Sequence, residues 1–253
     1  MRRSFSFLAR FIFIGILLHI YVGFRLIPDL PVGPTWRVLA VLWLVVSVFV
    51  IPLGMLARTI KRQPLADRLA WIGLMGMGFF SSLLVLTFAR DLLLASLLTI
   101  DAIWPHTLAL AAWRTHTAGA VPLLALLSTA IGLFNARRRA RVVTIDVPID
   151  NLPAALDGFT IVQISDIHVG PTIKRSYVDA IVDAVNKLKP DLIAVTGDVV
   201  DGSVEQLAAH TRPLSRLSAL HGVYLVTGSH EFYYGAHALI DEFRRLGLTL
   251  LRK

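Results

Sequence analysis

The chain has no cysteine among its 253 residues. That excludes a disulfide framework, a thiol nucleophile and any zinc site built on thiolates, and it leaves the compartment open. Acidic residues are scarce too, but only at first. Residues 1–140 hold 4 Asp+Glu against 14 Lys+Arg, whereas residues 141–253 hold 13 against 11. The pI near 10.3 therefore belongs to the first part. Its basic residues flank apolar segments and do not gather on one face, which suits membrane topology better than a nucleic-acid footprint. No nucleic-acid partner is expected. What is abundant is apolar: 55% of the residues, with a mean hydropathy of +0.67, too high for an ordinary soluble chain.

A bilayer core of about 30 Å needs roughly 20 mostly apolar residues in a helix. Four segments qualify, about 7–27, 38–56, 69–89 and 118–134, so residues 1–140 read as a four-span membrane anchor in the lipid bilayer. No small-residue cleavage site follows the first, so it is not a cleaved signal peptide. Arg10, His19 and Arg25 are expected to snorkel at its ends, and the spans show no paired intramembrane charges. The region Asp91–Trp113 is apolar but interrupted by Asp101 and Pro105. It reads as a continuation of the third helix into an interfacial loop, with a fifth span as the alternative. Arg2, Arg3 and Arg10, then Arg58, Lys61, Arg62 and Arg68, then Arg137, Arg138, Arg139 and Arg141 mark the basic loops. The positive-inside rule places them, and the C-terminal domain, in the cytoplasm. Gly73, Gly76 and Gly78 are expected to let helices approach closely within the bundle.

From Arg141 the pattern changes to alternating strands and helices. Strands are expected at 142–147, 159–165, 192–196, 222–227 and 248–251. Helices are expected at 174–189, 204–220 (bent at Pro213) and 236–246. This order predicts an α/β layer with parallel strands. Three polar clusters then fall just beyond consecutive strand ends, where α/β sheets bind ligands. They are Asp166 and His168, Gly197 and Asp198, and Gly228 to Glu231. Carboxylates and imidazoles gathered at one edge repel one another unless a cation is present, and that donor set suits Mn, Fe or Zn.

The stretches "ISDIHVG", "TGDVVDG" and "VTGSHEFYYG" resemble the D-x-H, G-D and G-N-H-[ED] motifs of the calcineurin-like metallophosphoesterases. The similarity covers nearly all of residues 150–236 and is closest to a bacterial branch with a multi-span N-terminal anchor. It implies a two-sheet α/β sandwich over residues 141–253, a bacterial inner-membrane location and two divalent metal ions. It also implies hydrolysis of phosphate mono- or diesters. Asp166 and His168 would bind the first metal, Asp198 would bridge both, and His230 would give a proton to the leaving group. Asp201 and Glu231 are expected to orient these residues, whereas His210, His221 and His237 match no motif.

Two departures weigh on activity. The family's asparagine ligand to the second metal is Ser229 here, a poorer neutral donor. The family's downstream histidine motifs have no match before Lys253, so the domain reads as its N-terminal half only, an incomplete sandwich with one sheet face uncovered. Activity is therefore expected to be weak or absent in a truncated chain, or to need a second chain that completes the domain. The alternative is a non-catalytic membrane protein whose half-domain binds one metal or a partner protein. The phosphate-ester substrate is not legible.

Overall fold

The computed structural model describes residues 2–57, 60, 62–138 and 140–251, and of residues 2–9 and 11 only the backbone. Arg58, Lys61 and Arg139, and the side chains of Arg2 and Arg3, lie outside the described residues. The chain divides into two compact units, Met1–Arg137 and Arg138–Lys253.

The first unit is helical: α1 Arg2–Leu26, α2 Pro34–Leu56, α3 Leu65–Ile103 and α4 Leu110–Arg137. All four are long and apolar enough to cross a membrane. Their outward leucines, valines and phenylalanines are exposed, as lipid-facing surfaces require. The 39-residue α3 rises about 58 Å, well beyond a hydrocarbon core of about 30 Å. Residues 91–103 thus continue the third helix.

Small residues bring the helices together. Gly73 lies directly against Gly54 of α2, and a Cβ on Gly73 would also meet Val50 O at 3.0 Å. Cβ positions on Gly76 and Gly78 would meet Ile51 at 3.6 Å and Thr129 of α4 at 3.8 Å. The glycines therefore serve packing inside the bundle.

Two expectations for the spans are corrected. His19 does not snorkel. It is buried, its Nε2 3.0 Å from Ser47 Oγ and its Nδ1 2.7 Å from Gly15 O, with its ring stacked 3.6 Å from Phe80. Both nitrogens are satisfied by neighbours, so the ring can stay inside. Paired charges also exist. The Arg25 guanidinium donates to Asp91 at 2.8 and 2.9 Å, and Tyr21 donates to the same carboxylate at 2.7 Å. Arg90, whose side chain is 2% exposed, pairs with Asp29. It also donates to Arg25 O at 2.8 Å, Thr117 Oγ1 at 3.1 Å and Arg114 O at 3.1 Å. Charges from α1, α3 and the α1–α2 connection thus neutralise one another where single residues looked isolated in sequence.

The second unit holds one parallel sheet in the order β1–β2–β3–β4. The strands are β1 Ile161–Ile164, β2 Leu192–Val195, β3 Val223–Leu225 and β4 Thr249–Leu250. Between them run α5 Arg175–Lys187, α6 Val204–Thr211, α7 Ser229–Tyr233 and α8 Ala236–Arg245. Val178, Val182 and Val185 of α5 repeat at helical spacing and enter the same core as Ile193, Val195, Leu225, Leu239 and Phe243. At alternate strand positions Ile161, Gln163 and Thr249 are exposed and Ala194 and Tyr224 half-buried.

Residues 142–147 form no strand, contrary to expectation. Val142, Val143, Ile145 and Val147 are exposed and pair with nothing in the sheet. A β-branched alternation marks a surface suited to pairing and does not supply the partner. The expected helix 204–220 is also shorter: α6 stops at Thr211, and Pro213 sits in a 3-10 turn, Arg212–Arg216, because it cannot donate the next helical hydrogen bond.

Asp191 clamps the starts of β1 and β2 together. It accepts Thr160 N–H at 2.7 Å and the Thr160 hydroxyl at 2.9 Å. These hydrogen bonds, the backbone one first, hold its pKa below the usual carboxylate value. The clamp is therefore fully present above the ordinary carboxylate pKa and is lost as pH falls through the lowered folded value. Asp191→Asn is expected to flatten the acid limb of the unfolding midpoint against pH, and an unchanged limb contradicts the clamp. In the first unit, Arg90→Ala leaves Asp29 without its cation and is expected to cost roughly 3–5 kcal/mol. The readout is a midpoint lowered by several degrees in detergent, and a parent-like midpoint contradicts it.

Candidate metal centre

Ile164, Val195 and Leu225 are register partners at the ends of three adjacent strands, so the loops that follow leave the sheet at one edge. Beyond β1 the burial changes phase: Ile164 is buried within the strand, whereas Ile167 and Val169 are buried after it, which leaves Asp166 exposed and His168 half-buried. The loops stay coupled beyond the sheet. Asp166 N–H donates to Gly197 O at 3.2 Å, His168 N–H to Asp198 O at 3.1 Å and Val169 N–H to Val199 O at 2.8 Å.

Asp166, His168 and Asp198 all take left-handed backbone angles, with φ of 54, 52 and 51°. Such angles are uncommon for residues other than glycine and gather at functional sites, where the surroundings hold them. Gly197, at φ 91°, lies against the Gly228 backbone with no room for a Cβ.

The structure brings His168, Asp198 and His230 together, their ligating atoms within 4.8 Å of one another. The two rings meet edge to face at 4.6 Å. One oxygen of Asp201 lies 3.0 Å from His168 Nδ1 and 2.5 Å from His230 Nδ1. An ionised carboxylate only accepts, so both Nδ1 atoms carry the proton and each Nε2 is left for other work. The His230 N–H also donates to Asp198 Oδ1 at 2.8 Å.

Asp166 stands beside this group: its side chain is 64% exposed, its Oδ1 3.6 Å from His168 Nε2, and it accepts the Ser165 hydroxyl at 2.5 Å. Ser229 begins α7 and is exposed. His221 stacks on Phe159. Asp201, expected to orient the site, touches both histidines at once. The visible signal was its place three residues after Asp198.

Residues 159–252 match the family model described as calcineurin-like phosphoesterase. The C-terminal unit thus holds a segment similar to the calcineurin-like phosphoesterases. Among curated proteins, the chain is similar to "Transmembrane protein with metallophosphoesterase domain" of Danio rerio, 40% identical over 115 residues. That match covers 44% of this chain and 26% of the relative. The Bos taurus protein of the same name is 38% identical over 124 residues, 47% of this chain and 28% of the relative. An "Uncharacterized metallophosphoesterase" of Helicobacter pylori is 32% identical over 120 residues, 47% of this chain and 32% of the relative. The chain thus spans about a quarter to a third of the length of these relatives. No solved structure matches.

The residues at these strand ends fit a divalent ion. The imidazole of His168 and the carboxylate of Asp198, with Asp166 alongside, are a donor set for transition metals, and the electrostatics call for a cation. Burial disfavours charge on His168, yet the hydrogen bond to Asp201 and the charges of Asp201, Asp198 and Asp166 outweigh it and raise its pKa. The same close packing yields a test. A Cβ on Gly228 would lie 2.5 Å from Asp198 N and collide with the Asp198 carboxylate. Gly228→Ala is expected to destabilise the unit by about 1–3 kcal/mol and to weaken Mn binding in calorimetry. Parent-like stability and affinity would show that the contact does not shape the site.

Proposed function

We propose that this chain is a membrane-anchored, metal-dependent phosphoesterase that hydrolyses phosphate mono- or diesters. The observation that carries the reading is the convergence of His168, Asp198 and His230 at the ends of three adjacent parallel strands. His168 and Asp198, with Asp166 alongside, would hold a divalent ion such as Mn, Fe or Zn. When bound, such an ion supplies Lewis-acid polarisation of a phosphoryl oxygen and a water of lowered pKa.

The protein's own part centres on His230. Asp201 accepts the Nδ1 proton of His230, which fixes the ring; as the imidazolium, the ring would carry a second proton at Nε2, which passes to the leaving oxygen and leaves a neutral imidazole. The Asp198 carboxylate accepts the His230 N–H, so the acid and the metal ligand keep a fixed spacing. In a two-metal arrangement Asp198 would bridge and Ser229 would face the second ion. A neutral, exposed hydroxyl is a weak ligand, so one tightly held ion and modest turnover are the reading here. The same serine favours a second reading, a non-catalytic module that holds one metal or a partner protein. We place the basic loops and the phosphoesterase unit on the cytoplasmic side of a bacterial inner membrane. The bilayer is the standing partner, a phosphate ester the substrate, and a second chain completing the domain a further partner.

The test is Mn-dependent hydrolysis of a generic aryl phosphodiester by the full chain, with Mn affinity measured in parallel. His230→Ala is expected to lower turnover by about 100- to 10,000-fold with little change in affinity, and His168→Ala to weaken binding itself. Equal loss of affinity in both variants would make His230 a ligand and not the acid. Metal binding without turnover in the parent would favour the non-catalytic module.

A further inference from the structure

Glu231 is completely buried, yet among the described residues it forms no ion pair. Backbone N–H groups take the place of a cation. Its Oε1 accepts Val199 N–H at 2.7 Å and Val200 N–H at 3.3 Å. Its Oε2 accepts Asp198 N–H at 3.0 Å and Gly228 N–H at 2.7 Å. Three of these donors are consecutive on the loop after β2, and the fourth opens the loop after β3. The donors belong to loops whose backbones already touch at Gly197 and Gly228, and whose dipoles point at one spot.

We propose that Glu231 is the positioning residue of the metal centre, and that its two accepting oxygens, not only its shape, set the spacing between Asp198 and His230. The proposal rests on the metal-binding reading of this site. The carboxylate pins the Asp198 backbone at its left-handed angle. It is also the residue next to His230, whose N–H the Asp198 carboxylate accepts. Each of its oxygens faces two donors, which makes a sharp distinction. In Glu231→Gln, either amide orientation sets an NH2 group against two N–H donors, so the isosteric change leaves a pair of buried donors unmatched. Glutamine therefore fails as a substitute, whereas aspartate keeps both accepting oxygens with a shorter reach.

The experiment compares the parent full chain in detergent with Glu231→Gln, Glu231→Asp and the core control Leu239→Ala. It reads amide exchange at Val199, Val200 and Gly228 without metal, and the affinity for Mn alone. Glu231→Gln is expected to lower Mn affinity by about 10- to 100-fold and to remove amide protection at those three residues. Glu231→Asp restores part of both. Leu239→Ala lowers the unfolding midpoint without either effect. Parent-like exchange and affinity in Glu231→Gln, or equal losses in Leu239→Ala, would overturn the proposal. If Glu231→Gln does not fold, Glu231→Asp decides: intermediate values support the role and parent values overturn it. If the parent binds no Mn, the metal-binding reading fails, and amide exchange alone then decides on Glu231: lost protection supports it, retained protection overturns it.

Discussion

Three parallel strands in register must release their chains at the same edge of a sheet, and the chemistry of this protein depends on that constraint. Ile164, Val195 and Leu225 are register partners, so the segments after them start level with one another. Past Ile164 the chain leaves extended backbone at Asp166 and His168, so Ile167 and Val169 are buried while Asp166 and His168 stay out of the core. Parallel strands need crossover connections, and α5 and α6 supply them while burying the sheet's apolar side. Polar residues far apart in sequence thereby come within the reach of one small ion.

Close backbone approach then converts proximity into geometry. Gly197 and Gly228 touch, and a side chain on either would part the loops. Left-handed angles at Asp166, His168 and Asp198 are unfavourable in isolation and persist where the surroundings over-determine them. The bundle follows the same logic in a different solvent. Where lipid offers no hydrogen bonds, polar groups must satisfy one another, and His19 with Ser47 and Arg90 with Asp29 do so.

Much of this was legible from residue order. Apolar runs of spanning length gave the four helices, and short β-branched runs followed by D-x-H, G-D and G-S-H-E gave the three strand ends with their polar clusters. What stayed hidden depended on partners remote in sequence. Residues 142–147 have the composition of a strand, but no described strand lies beside them to complete a ladder. His19 and Arg90 look like isolated liabilities until Ser47, Asp29 and Thr117 are brought against them by packing. Asp201 could be placed near the site, but its double role needs both imidazoles in space. The exposure of Ser229 likewise follows from the short turn of α7, too brief to leave a periodic signal.

On this reading the strand ends assemble a divalent metal site from His168 and Asp198. Pulsed electron paramagnetic resonance of the Mn-loaded full chain tests it most directly, because coupling from a coordinated imidazole nitrogen is visible in the spectrum. Such coupling is expected in the parent and is lost in His168→Ala. Absence of nitrogen coupling in the parent, or a spectrum unchanged by the substitution, would contradict it.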